Sequence, residues 1–532
     1  MVKKIALMLS VLAFIALVVT ADVWNRSTVM DAQVLSENAF LKIQKDRTQV
    51  EDSSLGTLYI NDVRAAWEQT EERYYIPKNT GEDSWKGTVS ATLDGNAAAV
   101  VWKEDSAFQD MENAIEENHE FSCMIYTDSS YAIVRVLFTG MPLISIEGNM
   151  GEGGTRVTVY DPIYSLNDAY DVQETLAYYN IRGNASKRFE KICYRLEFFE
   201  EDGVTGNDIS LLGMRSDNDW HLKAMYSDRS KLRDKLSIEL WNQIADLTST
   251  QADTGCRMEY IEVIINGEYR GLYGLVEPTD YKSLGLDKET DLIYKVRSDE
   301  RPDDSLFETS EAEGSFTCAG VTIRQAGKTF YSGIWDPFRT LWDNGYEMES
   351  EEDLESLYSV IDRDNFIDYE LYMNVIMGVD NRYKNIYYST DVEDDGSYTI
   401  RRVPWDQNYS WGDNFDSDES EDADIKNICY DEELATRWLS EDIFSNMLEY
   451  DEGLAADMLE VWQEWREDFL QEDDWKAYAQ EQMEYLNASG AFARDSEKWP
   501  DSENVADTEE IERYIDTRFV WLDEYLSELA EQ

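Results

Sequence analysis

The sequence predicts an α+β protein, and three observations carry that reading. Short β-rich runs punctuated by turns fill residues 30–165, strands mix with a long helix between 166 and 345, and after Glu432 the chain reads as helical, acidic and rich in tryptophan. The 532 residues are 42% hydrophobic and 13% aromatic, which supplies real cores and suggests about three domains at roughly 150 residues each. That apolar content argues against disorder of the whole chain despite its charge.

Charge narrows the function classes. Lys plus Arg number 47 and Asp plus Glu 111, a net −64, so this acidic protein is unsuited to neutralising the phosphates of a nucleic acid and repels anionic surfaces. His119 and His221 are its only histidines, too few for a histidine zinc cage or for most Ser-His-Asp arrangements. Cys123, Cys193, Cys256, Cys318 and Cys429 are odd in number, widely separated and without a CxxC pair, so they read as scattered core thiols.

Residues 1–24 carry Lys3-Lys4 and then an apolar run from Ile5 to Thr20, the pattern of a secretory signal peptide. Val19 and Ala21 fit the small-residue cleavage rule before Asp22; extension through Trp24 would instead make an uncleaved membrane anchor. No cysteine follows the run, which gives no support to a lipoprotein anchor. Either way the expectation is an exported protein, secreted or held on the outer face of the cell membrane.

Residues 30–165 read as a mostly β accessory domain with one helical segment, Asp105 to Glu117. Strands follow at Lys191–Phe198, Tyr260–Ile265 and Tyr273–Val276. A helix over Ser230–Ala245 places Leu232, Leu236, Leu240 and Ile244 on one face. A second helical stretch covers Asp353–Val379, and Asp394-Asp395-Gly396 signals a hairpin between Ile386–Ser389 and Tyr398–Val403. The tryptophans after Glu432 read as core at helical spacing. Asp413–Asp424 is an acidic surface loop without the spacing of an EF-hand.

The sharpest chemical signal is Asp380-Asn-Arg-Tyr-Lys-Asn385, a D-x4-N after a helix, followed by the hairpin and Pro404-Trp-Asp406. Protein kinases space a catalytic-loop Asp and a metal-binding Asn in this way, with a second metal-binding Asp beyond a short hairpin. Asp380 could accept the proton of an attacking hydroxyl, and Asn385 and Asp406 offer hard oxygens to Mg²⁺. Arg382 and Lys384 would stand where a transferring phosphoryl group needs positive charge. A bare D-x4-N arises readily by chance in a chain this rich in Asp.

Five ordered segments strengthen the signal: IRGNASKRFEK (Ile181–Lys191), DW.L.....D....R (Asp219, Asp228, Arg233), NGEYRGLYGLVE (Asn266–Glu277), DNRYKN (Asp380–Asn385) and PWDQNYSWG (Pro404–Gly412). Over about residues 140–530 the chain resembles the spore-coat protein H (CotH) kinase family, a bacterial group of atypical protein kinases. The resemblance implies a kinase-like two-lobed core within 166–530, ATP with Mg²⁺ (Mn²⁺ in its place), and phosphate transfer to a protein hydroxyl. It implies Asp380 as the catalytic Asp, with Asn385, Asp406 and Asn408 at the metal. Arg182, Gly183 and Ser186 would form a phosphate-approaching loop, and either a plain turn or that loop suits their composition. Lys191 or Arg195 would pair with phosphate from the strand face opposite Ile192, Tyr194, Leu196 and Phe198, or be an ordinary solvated residue. Glu277 resembles a linker position near an adenine pocket.

Three positions depart from the usual family pattern. The metal segment commonly reads WDxD but here Trp405-Asp406-Gln407-Asn408, with a neutral amide for a carboxylate. The strand often written KKSYKIK here reads Lys191-Ile-Cys-Tyr-Arg-Leu-Glu197, and an Arg-Asn pair becomes Arg233-Asp234. The competing functions are an exported phosphotransferase acting on Ser or Thr hydroxyls of a protein partner, and a non-catalytic envelope or spore-surface scaffold that binds surface proteins. A carbohydrate-active module with paired carboxylates is the third.

Overall fold

The structure, a computed structural model, describes residues 29–51, 55–78, 85–162, 171–183, 185–248, 256–298, 303–326, 333–381, 384–413 and 443–531. The N-terminal apolar segment, Arg382, Cys429 and the acidic stretch beyond Asp413 therefore lie outside the described residues. The α+β content is as the sequence predicts, with 12 α-helices among the described residues. None of these helices is long and apolar enough to cross a membrane. The chain divides into two compact units: Met1–Ala224 with Tyr260–Leu275 and Tyr485–Pro500, and Met225–Glu259 with Val276–Glu484 and Asp501–Gln532.

In the first unit, an eleven-stranded sheet is built mainly from Leu55–Ile60, Thr88–Leu93, Asn96–Lys103, Glu120–Tyr126, Ser130–Thr139 and Arg73–Pro77, side by side in that order. Period-2 patterning sets its register: Phe121 lies opposite Val136, Cys123 opposite Val134 and Ile125 opposite Ala132, all buried. The helix expected over Asp105–Glu117 is two pieces, a 3₁₀ turn Ser106–Gln109 and a helix Met111–Glu116. Asp110 divides them, because its carboxylate caps the Asn113 N–H and restarts the helix.

A closed seven-stranded barrel follows: Leu143–Glu147, Thr155–Asp161, Asp171–Ile181, Tyr194–Phe199, Asp219–Lys223, Glu268–Val276 and Met258–Ile265, in spatial order. Alternate residues, among them Ile144, Val157, Leu196, Trp220, Ile261 and Tyr273, fill it. Closure leaves no open sheet edge to pair with another chain. Asn266 and Gly267 (φ 51° and 74°) make the hairpin turn between two of its strands. The helix Ala491–Lys498 belongs to this unit, where Arg494 grips both carboxylate oxygens of Glu262 at 2.8 Å.

The second unit holds an antiparallel five-stranded sheet in the order Thr317–Cys318, Val321–Ala326, Leu292–Val296, Ile386–Val392, Tyr398–Pro404. The last two strands are the hairpin expected around Asp394-Asp395-Gly396. The helix predicted at Ser230–Ala245 runs Arg233–Thr248. The stretch predicted at Asp353–Val379 is instead two helices, Glu351–Tyr358 and Arg363–Ile376. Ile361 interrupts it by bridging to Ile400, and Asp362 then caps the second helix through the Asn365 N–H. Residues 365–376 of that helix are all buried. After Glu432, the described chain is helical at Ile443–Tyr450, Leu454–Asp468, Glu472–Ala488, Ala491–Lys498 and Glu509–Ala530. Trp462, Trp465 and Trp475 are buried, as helical spacing of aromatics predicts, whereas Trp521 is only half-buried and Trp438 lies outside the described residues.

Candidate active site

The buried helix Arg363–Ile376 delivers Asp380. Its first turn is pinned to the hairpin, since Asn365 donates to the Arg402 carbonyl (3.2 Å) and accepts from the Arg402 N–H (2.7 Å). Met377, in the left-handed region (φ 47°), ends it. The freed carbonyls near that end find donors: Arg518 Nε reaches the Asn374 carbonyl at 2.8 Å, Tyr514 the Val375 carbonyl at 2.7 Å, and the Trp411 N–H the Ile376 carbonyl at 2.8 Å.

Residues 377–381 and 384–385 are then laced to a second loop, 405–412. Val379 N–H donates to the Tyr409 carbonyl (3.2 Å), and the Asn381 side-chain amide to the Trp405 carbonyl (2.5 Å). Asn385 N–H donates to the Val296 carbonyl of the neighbouring strand (3.1 Å). The helix Arg233–Thr248 fixes the far side of the second loop. Arg233, 1% exposed, donates from Nε to the Ser410 carbonyl at 2.9 Å and from Nη1 to the Asp228 carboxylate at 2.8 Å, while Ser237 accepts from the Trp411 indole at 2.9 Å. Asp228 also accepts the Arg233 N–H, so the acid and the arginine of the DW.L.....D....R segment act together at the start of this helix.

Asp380 is surrounded by groups that favour its anion and one that does not. Lys384 Nζ stands 2.7 Å from Oδ1, and the Asn385 amide donates to Oδ2 at 3.0 Å. Burial nonetheless raises its pKa above the ordinary value; Lys384 and the Asn385 hydrogen bond oppose the rise, and the Asp406 charge adds to it. The Asn381–Trp405 hydrogen bond, between the residue after Asp380 and the residue before Asp406, brings the two loops together at these carboxylates. Asn385 (φ 58°) and Asp406 (φ 67°) both occupy the left-handed region, a costly conformation that clusters at functional sites.

The donor chemistry fits Mg²⁺. Asp406 supplies a carboxylate and Asn385 an amide oxygen, both hard oxygen ligands. Among the described residues, no group of three or more His, Cys, Asp or Glu side chains could hold a metal by itself. A set this small suits a cation that keeps phosphate oxygens and water as its remaining ligands.

The structure brings Asp380, Lys384, Asn385 and Asp406 together in the second unit, and Arg382 lies outside the described residues. Asn408 donates its amide to Ser227 Oγ at 2.9 Å. Glu277 follows the strand Glu268–Val276, buried, and its carboxylate accepts the Arg257 N–H at 3.0 Å. In the first unit, Gly183 has φ 95°, and a Cβ there would come within 1.9 Å of Ser186 Oγ, so this turn requires glycine. Arg182 N–H donates to the Cys193 carbonyl beside it.

The shared strand face expected for Lys191 and Arg195 is not formed. The strand begins at Tyr194, and Lys191 precedes it, fully buried, with Nζ 2.6 Å from Asp495 and 4.8 Å from the Tyr273 ring centroid. Burial lowers the Lys191 pKa and Asp495 works against that shift. Arg195 is half-exposed and binds Asp219. Hydrophobic alternation alone could not show that a helix some 300 residues away supplies the partner of Lys191. Sequence reasoning also passed over Asn381 and Ser410, short polar side chains inside motifs whose charged members drew attention, and Ser237, four residues past another; only tertiary placement shows that they join the loops.

Along the chain, a D-x4-N segment thus precedes an antiparallel hairpin, and a carboxylate follows just past that hairpin. A family model described as CotH kinase protein matches residues 179–522, nearly two-thirds of the chain, and the chain belongs to that family. No curated protein matches it.

Proposed function

We propose that this CotH-family chain transfers phosphate from ATP to a Ser or Thr hydroxyl of a protein, outside the cytoplasm of a bacterial cell, through a two-lobed kinase-like core. The observation that carries the reading is the convergence of Asp380, Asn385 and Asp406 from two loops laced by their own hydrogen bonds. When bound, Mg²⁺ would neutralise phosphate charge during transfer. Asp406 and Asn385 would hold it; Asn385 turns its NH₂ to Asp380 and keeps its carbonyl oxygen as the ligand end. Asp380 would take the hydroxyl proton on Oδ1 once Lys384 leaves that oxygen for the phosphoryl group.

Two observations favour the alternative of a non-catalytic envelope or spore-surface scaffold. Both oxygens of Asp380 are engaged by Lys384 and Asn385, and Asn408 stands where a carboxylate is usual. Calorimetric titration of ATP in Mg²⁺ separates the two readings. Phosphotransfer requires wild type to bind, Asp406→Ala to lose that binding, and Asp380→Asn to keep it, because a metal ligand acts in the ground state and a base mainly in the transition state. Absence of binding by wild type selects the scaffold.

A further inference from the structure

We infer that Tyr485–Pro500, supplied from a distant part of the chain, is a strap that closes the first unit: its eleven-stranded sheet and its barrel stay folded only while the strap is docked. The rest of that unit ends at Leu275, and the chain returns to it for this segment alone before leaving again at Asp501. Near the start of the strap, the Ser489 carbonyl accepts the N–H of Gly140, just past the sheet strand Ser130–Thr139, at 3.2 Å. The Tyr485 hydroxyl also donates to the Met141 sulfur at 3.3 Å.

The middle of the strap holds sheet and barrel at once. Arg494 takes both oxygens of Glu262, in the barrel strand Met258–Ile265, at 2.8 Å, and donates to Thr139 Oγ1, at the end of the sheet strand, at 2.6 Å. Asp495, the next residue, accepts from the Leu272 N–H at 2.9 Å and from Lys191 Nζ at 2.6 Å. Beyond it, the Trp499 indole donates to the Arg270 carbonyl at 2.9 Å, and Lys498 pairs with Glu268 at 3.1 Å.

Burial makes these contacts decisive. Glu262, Lys191 and Asp495 are fully buried and Arg494 nearly so, so undocking the strap strips Glu262 and Lys191 of their counter-charges inside the unit. A buried charge left without its partner is strongly destabilising, and the unit must open to hydrate it. Opening spreads to both layers, because Leu143, Tyr160, Ile264 and Tyr269 of the barrel belong to one hydrophobic cluster with Leu137 and Phe138 of the sheet. The fit is also close: a Cβ on Gly140 would lie 2.8 Å from the Ser489 Cα, so the end of the sheet strand and the strap meet backbone to backbone. A chain ended before Tyr485 thus loses its N-terminal unit as well as its C-terminal helices.

The test is native-state hydrogen exchange, read by mass spectrometry, on the full chain as wild type, Arg494→Met and Gly140→Ala. Gly140 lies outside the left-handed region, so alanine there adds only the clash with Ser489. The sheet strands Glu120–Tyr126 and Ser130–Thr139 and the barrel strand Met258–Ile265 lose protection together. The loss is about 100-fold or more in Arg494→Met and about tenfold or more in Gly140→Ala. The hairpin Ile386–Pro404 of the second unit keeps its protection. Loss confined to 485–500, with sheet and barrel unchanged, overturns the strap, and so does an equal loss in the 386–404 hairpin. Should Arg494→Met fail to fold, Gly140→Ala, which alters no charged residue, carries the same comparison, and unchanged protection of sheet and barrel there contradicts the inference.

Discussion

The side-chain amide of Asn381 donates to the carbonyl of Trp405 at 2.5 Å and so joins the loop carrying Asp380 to the loop carrying Asp406. Asn381 is buried, so replacing it with Ala strands a buried carbonyl and costs about 1–3 kcal/mol. Because catalytic geometry is sensitive to small displacements, phosphotransfer should fall more steeply than stability, on the order of 100-fold. Thermal melting and initial rates on Asn381→Ala check this; a loss of stability with an unchanged rate would show that the loops keep their places without the amide.

Removing Arg233 should be severe. It is buried against Asp228 and holds the Ser410 carbonyl, so Arg233→Met leaves Asp228 as an uncompensated buried charge. Breaking a buried pair from one side costs about 3–5 kcal/mol. Urea unfolding should show the midpoint falling accordingly, and the double change Arg233→Met with Asp228→Leu should recover much of it. No recovery would mean that the Ser410 contact dominates.

Lys191 and Asp495 give an independent case in the other unit. Lys191→Met should destabilise by a similar few kcal/mol, and Lys191→Met with Asp495→Leu by much less. A double-mutant cycle in denaturant measures the difference. If the double variant also loses ATP affinity beyond what its stability explains, Lys191 serves the nucleotide as well as the fold.

Acid should weaken one contact in a known direction. Burial works to raise the Asp451 pKa, but the Tyr358 hydroxyl at 2.5 Å, the Gly453 N–H and Arg363 outweigh it, and the net shift is downward. A carboxyl with a depressed folded-state pKa contributes stability above its unfolded value near 3.9, and the contribution is lost as pH falls through the folded pKa. Wild type should therefore be more stable than Asp451→Asn at pH 6, with the gap closing below about pH 4. A constant gap from pH 6 to pH 3 in melting temperature would contradict the direction of the shift.

Asn408→Asp should be tolerated, because Ser227 can turn its hydroxyl to donate where it now accepts. A carboxylate there adds attraction for a divalent cation, so Mg²⁺ with a non-hydrolysable ATP analogue should raise the melting temperature of this variant more than that of wild type. Equal shifts would mean that position 408 does not face the metal.

Much of this architecture was legible in sequence wherever one period dominated. The 386–404 hairpin, the helix beginning near Arg233 and the buried tryptophans followed from alternation, turn chemistry and helical spacing. The order Asp380, Asn385, Asp406 was legible because spacing along a loop is a local property. Partners distant in sequence were not: Lys191 with Asp495, Asn381 with Trp405 and Lys295 over Trp405 depend on which strands close the barrel or share a sheet. The break at Ile361 was missed for the same reason, since a single bridge to Ile400 overrides continuous helical patterning.

The most direct test of the account is transfer of labelled phosphate from ATP to the protein itself, in Mg²⁺ and in Mn²⁺, by wild type, Asp380→Asn and Asp406→Ala. The account predicts incorporation by wild type that falls to background in both variants, each of which should remain folded by circular dichroism. Incorporation that persists in either variant, or none by wild type with either metal, would contradict it.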